Sequence, residues 1–179
     1  MADTLFTDAE REHIARAVGE AEKRTSGEIV PFVVARCGEY EVAVWRAASV
    51  CAMGAAAVAL GVAWLNDGWG RGWLYTAWAM ALVMALGGTA GALATLADPV
   101  RRLFAGGERM ARRVHRRASV AFLEEEVFET RDRTGILLFV SLFEHRIEVI
   151  GDKGIDAKVE PGEWVEVVEL VRAGIVRGD

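Results

Sequence analysis

Charge is missing from two long stretches of this 179-residue chain. Ala47–Leu65 runs 19 residues, and Trp73–Ala97 runs 25, without one Asp, Glu, Lys or Arg. Cysteine is nearly absent: Cys37 and Cys51 stand alone at no metal or redox spacing, which excludes a disulfide scaffold and a Cys-based zinc site. The three histidines, His13, His115 and His145, are isolated, with no second histidine or carboxylate at ligand spacing. No phosphate-cradling P-loop, Gly-x-Ser-x-Gly elbow or Cys-x5-Arg loop occurs. The usual signatures of nucleotide hydrolysis, serine hydrolysis and cysteine-phosphatase chemistry are therefore lacking. No secretory leader is expected either, because residues 1–26 are charged and helical in pattern.

At about 1.5 Å of rise per residue, each apolar run is long enough as a helix to cross a hydrocarbon core of about 30 Å. Between them Asn66-Asp67-Gly68-Trp69-Gly70-Arg71-Gly72 has the composition of a tight polar turn. Trp45 lies just before the first run, Trp64 and Trp73 flank the turn and Trp69 lies in it, where an aromatic belt belongs at the two membrane interfaces. The alternative is a pair of buried helices in a soluble core, but two neighbouring charge-free stretches of this length are rare there. The expectation is a transmembrane hairpin over residues 42–99, with small residues at four-residue spacing (Ala57 with Gly61, Gly87 with Gly91) at the helix contact.

The flanks set the orientation. Arg101, Arg102, Arg109, Arg112, Arg113, Arg116 and Arg117 follow the second run, Arg36 and Arg46 precede the first, and the turn holds only Arg71. Basic residues stay on the cytoplasmic side, so both termini are expected there in a multi-pass inner-membrane protein. Beside a membrane exit, the cluster reads as an anchor near anionic lipid and not as a nucleic-acid patch, so no nucleic-acid partner is expected. The net charge of −5 conceals this basic segment between acidic ends.

Thr7-Asp8-Ala9-Glu10 has the form of a capping box, and Ile14, Ala17, Val18 and Ala21 then mark one face of a helix. Ile29–Ala35 reads as a buried strand, with Pro31 at a position that needs no N–H. The spacing predicts one long helix over Glu108–Thr130, a second buried strand over Ile136–Leu142, a reversal at Glu144-His145 and a third strand over Arg146–Ile150. In that strand Ile147 and Val149 face one side, Arg146 and Glu148 the other. Pro161 opens a last helix with Trp164, Val167, Val168 and Val171 on one face. A helical crossover lets the first two strands lie parallel, and the short reversal makes the third antiparallel. The expected fold is α/β: a small α/β/α sandwich with a mixed sheet, built from residues 1–41 and 100–179 and interrupted by the hairpin. Gly135, Gly151 and Gly154 are expected to be turn residues at positive φ.

The run Arg131-Asp132-Arg133-Thr134-Gly135-Ile-Leu-Leu-Phe-Val-Ser-Leu142 and the following Glu144-His-Arg146-Ile-Glu-Val-Ile-Gly151-Asp152-Lys153-Gly154-Ile155, with Thr25-Ser-Gly-Glu-Ile-Val-Pro-Phe-Val-Val34 upstream, resemble the TPM domain family. That family takes its name from a thylakoid-lumen phosphatase, a photosystem II-associated protein and a nematode receptor modulator, and many bacterial members are membrane-anchored. Many relatives carry the domain outside the cytoplasm with an anchor after it, and relatives usually continue into another helix where this chain stops. A C-terminally truncated member is therefore expected. The resemblance implies a binding or accessory module for membrane proteins, in assembly or maintenance. The alternative it implies is a divalent-cation-dependent phosphatase of low activity, using Ca2+ or Mg2+.

Carried over residue by residue, the metal position falls on Asp132 and Asp152. Calcium takes six or more oxygen ligands, and two carboxylates between Arg131 and Arg133 do not supply them. Glu39, Glu41 and Asp156 are the further carboxylates to consider. Arg146 is a candidate anion-binding residue or the partner of a helix carboxylate. No catalytic residue is assigned, and Ca2+ or Mg2+ is the one cofactor the resemblance implies.

Overall fold

The computed structural model describes residues 7–23, 27–65 and 76–156. The chain divides into two compact units, Met1–Gly38 with Met110–Asp179 and, separately, Glu39–Arg109. The expected turn at 66–72 and the helix from Pro161 lie outside the described residues.

The discontinuous unit opens with α1, Asp8–Glu22, behind the predicted capping box. Glu10 N–H donates to Thr7 Oγ1 at 3.4 Å, and the Glu10 carboxylate accepts from Thr7 N–H at 2.7 Å. That bond from the Thr7 N–H, and after it the one the Thr7 hydroxyl donates to the same carboxylate at 2.7 Å, hold the Glu10 carboxyl below its ordinary pKa. At the other end, the Glu22 carboxylate accepts from Ile29 N–H at 3.0 Å and so ties the helix to β1, Glu28–Val34.

β1 pairs parallel with β2, Gly135–Ser141, and β2 pairs antiparallel with β3, Arg146–Gly151, in the order β1-β2-β3. This is the strand arrangement that the connection lengths predict. Pro31 is tolerated because β1 is an edge strand and one row of its backbone donors has no neighbour. Val30, Phe32 and Val34 turn toward α5, Gly107–Glu124, where they pack around buried Val114, Ala118, Ala121, Leu137 and Phe139. The alanines let the helix approach the sheet closely, and Phe32 stacks on Phe139 at 5.8 Å between ring centres. Pro31 and Val33, on the opposite face, line a groove with Ile14 and Val18 of α1.

Two expectations fail here. The helix does not continue to Thr130; it ends at Glu124 in a Schellman motif. Val127 N–H reaches back to Phe122 O at 3.2 Å and Glu126 N–H to Leu123 O at 3.3 Å, with Glu126 at φ 51°. A glutamate occupies the left-handed position where glycine is usual, so the stop carries no glycine signal. Nor do Gly135, Gly151 and Gly154 serve positive φ. Among the described glycines that conformation belongs to Gly106, at 85°. Gly135 is required because a Cβ there would overlap the Val127 carbonyl oxygen, and Gly154 because a Cβ would meet the carbonyls of Asp132 and Arg133. The positive φ angles in these turns fall on Arg133 (56°) and His145 (50°) instead.

The second unit is built on α2, Glu41–Leu65, and α3, Ala77–Ala94, both long and apolar enough to cross a membrane. A Cβ on Gly87 would lie 2.7 Å from Ala55 Cβ, and one on Gly91 2.6 Å from the Ala47 carbonyl oxygen. The close approach therefore uses Gly87 and Gly91 as expected, but on α2 it uses Ala47, Cys51 and Ala55. Ala57 is exposed and nothing lies near Gly61. A short helix that the sequence does not announce, α4, Asp98–Ala105, follows α3 with Pro99 in its first turn and ends at Gly106.

Candidate functional site

Asp152 follows β3 and is 5% exposed. Its Oδ1 accepts from Lys153 N–H at 2.8 Å at the start of α6, Lys153–Asp156, and its Oδ2 lies 2.9 Å from Arg133 Nε. Asp132 is exposed in the preceding turn, where its main chain and that of Arg133 press on Gly154. The two loops do meet, then, but through backbone, and the cation that answers Asp152 is Arg133. Among the described residues no group of three or more His, Cys, Asp or Glu could hold a metal ion. Glu39 and Glu41 belong to the other unit, and the side chain of Asp156 lies outside the described part.

Arg146 opens β3 opposite Ser141. It faces the α5 side of the sheet with Glu148, whose partner across the ladder is the core residue Phe139. Glu148 is closed by His115 of α5, Nδ1 against Oε1. Arg146, Glu148, His115 and Arg112 thus form the polar rim of a groove of about 500 Å3 that Val114 also lines. His115 is paired after all, with a carboxylate 33 residues away that no local spacing reveals.

One buried polar cluster in the discontinuous unit carries no sequence signature. At the carboxyl ends of the parallel strands, Glu144 is 5% exposed. Its Oε1 accepts from Cys37 N–H at 2.9 Å and its Oε2 accepts from the Ser141 hydroxyl. Cys37 Sγ lies 3.3 Å from Ser141 Oγ. Burial pushes the Cys37 thiol above its ordinary pKa, with the Ser141 hydrogen bond opposing and the charge of Glu144 reinforcing. The thiol is thereby kept protonated, the opposite of what an activated nucleophile needs. Although α/β sheets place ligands at this end, these groups spend their hydrogen bonds on one another and clasp the end of β1 to the β2–β3 turn. Arg36 lies over the Phe143 ring at 5.4 Å and Arg117 over Phe32 at 5.5 Å, covering the clasp with cations.

On the second unit the candidate feature is its outer surface. Trp64, Leu65, Trp78, Leu82, Leu86 and Leu93 are all at least 60% exposed. No family model, curated protein or solved structure matches the chain, which leaves its own geometry and charge as the ground for function.

Proposed function

We propose that this protein is a membrane-tethered, TPM-like α/β/α module that acts as a binding or accessory partner of other membrane proteins in a bacterial inner membrane. Its α2–α3 hairpin spans the bilayer, and both termini and the α/β unit lie in the cytoplasm. The observation that carries this reading is the way the two helices divide their residues. Small ones, Gly87, Gly91, Ala47 and Cys51, are spent on each other, and large apolar ones point outward. Water would charge heavily for such a continuous apolar surface, whereas lipid accommodates it, and helices in lipid associate through small residues of this kind. The arginines beyond α3 against the single Arg71 of the turn support the orientation.

A binding role is favoured over the phosphatase reading because Asp152 is already engaged by Arg133 and no group of three or more metal-ligating side chains gathers among the described residues. The test is cross-linking in intact membranes followed by purification from mild detergent, paired with a phosphatase assay on the same preparation. The expected result is a reproducible membrane-protein partner and no metal-dependent turnover. Turnover that needs Mg2+ or Ca2+ and is lost in Asp132→Ala or Asp152→Ala would replace this reading with the enzymatic one.

A further inference from the structure

The geometry of α4 points to an anionic-lipid site at the base of the hairpin: we propose that α4 lies in the headgroup layer, with Leu96 and Leu103 in the acyl boundary and Arg101 and Arg102 on lipid phosphates. The proposal rests on the membrane-spanning reading of α2 and α3.

α4 begins only a few residues after α3 ends, so it sits where the chain would leave the hydrocarbon. Its inner side is fixed: Ala105 is buried, and Arg46 of α2 donates through Nη1 to the Phe104 carbonyl at 3.3 Å. Its outer side is apolar. Leu103 is 77% exposed on α4, and Leu96, in the turn just before the helix, is 74% exposed, with exposed Pro99 between them. A soluble surface has no use for two leucines placed so close together.

Cations accompany these leucines. Arg101 and Arg102 are half-buried on α4, and Arg46 and Arg109 are exposed beside it in sequence or contact. Arg101 Nε is buried and finds no hydrogen-bond acceptor among the described residues. A phosphate oxygen is the acceptor that a guanidinium fork fits best. Trp45, 74% exposed next to Arg46, adds the aromatic anchor common at this depth. An apolar side edged by arginines is the pattern of helices that lie along an anionic leaflet. Free phosphate or nucleic acid would use the arginines and leave the leucines in water.

The full chain, carrying Cys37→Ser and Cys51→Ala, is reconstituted with an environment-sensitive fluorophore at Leu103→Cys or Val58→Cys. Nitroxide lipids labelled at the headgroup or at the chain end serve as quenchers. Val58, 67% exposed on α2, reports the span itself. The expected result is chain-end quenching at Val58 and headgroup quenching at Leu103, stronger from labelled phosphatidylglycerol than from labelled phosphatidylcholine. Arg101→Gln with Arg102→Gln should lower that preference, by up to roughly fivefold per arginine, and the double lysine variant should restore it. Deep quenching at Val58 with Leu103 in water, or equal quenching of Leu103 by the two lipids, would overturn the α4 proposal and leave the hairpin standing. No quenching at Val58 would overturn both.

Discussion

Gly91 of α3 lies directly against Ala47 of α2: a side chain at Gly91 would begin 2.6 Å from the Ala47 carbonyl oxygen and 2.7 Å from Cys51 Cβ. Gly91→Val should therefore force the helices apart. Overpacking of a fitted contact costs about 1–3 kcal/mol, so the variant should melt earlier in detergent. Gly54→Ala, where nothing lies within 4 Å, should be neutral in the same assay. Equal melting of both variants would mean that the two helices do not pack as described.

Glu144→Ala should destabilise the α/β unit more than any exposed glutamate does. It removes the acceptor of both Cys37 N–H and the Ser141 hydroxyl, leaving buried donors unpaired at about 1–3 kcal/mol each. Urea unfolding of the full chain measures this, with Glu124→Ala as the exposed comparison. A shift no larger than that of the comparison would remove Glu144 from its role as clasp.

The Cys37 thiol supplies a pH test whose sign is fixed. Its pKa is raised in the folded chain, so folding favours the neutral thiol. The stabilisation is fully present below the ordinary thiol pKa and declines as pH rises from there through the folded value. Alkylation by iodoacetamide should accordingly be slower in the folded chain than in urea at mildly alkaline pH, with the gap narrowing as pH climbs. Faster reaction in the folded chain would mean an activated thiol.

Gly135→Ala should abolish folding of the same unit, because the new Cβ would overlap the Val127 carbonyl oxygen in the turn that feeds β2. Circular dichroism and a lost cooperative melt report it. Gly19→Ala, on α1 with nothing near, should instead be tolerated or slightly stabilising.

Much of this architecture was legible in the residues. Absence of charge marked α2 and α3, apolar runs marked the first two strands and alternation the third, and the connection lengths allowed the first pair to be parallel and made the second antiparallel. What escaped depended on contacts between distant segments or on local shapes with no residue signature. Glu126 ends α5 in a conformation usually given to glycine. Cys37 reaches Ser141 and Glu144 across 104 and 107 residues. Gly135 and Gly154 are small because a neighbouring backbone passes close, and a sequence does not separate that cause from a positive φ. Likewise α4 was hidden inside a stretch that read only as basic.

Asp152 separates a structural carboxylate from a metal ligand. Ca2+ or Mg2+ should leave the melting temperature unchanged, while Asp152→Ala should lower stability by about 1–3 kcal/mol through the loss of its Arg133 pair and its bond to Lys153 N–H. A rise in melting temperature with either ion, abolished by Asp132→Ala, would restore the metal site.

The most direct measurement of the central claim is cysteine accessibility across a sealed membrane. With Cys37→Ser and Cys51→Ala as background, single cysteines at Asp8 and Gly70 are treated with an impermeant maleimide in whole cells and in inverted vesicles. A spanning hairpin with cytoplasmic termini predicts that Gly70→Cys reacts from outside the cell and Asp8→Cys only in inverted vesicles. Labelling of both positions from the same side, whichever side that is, would contradict it.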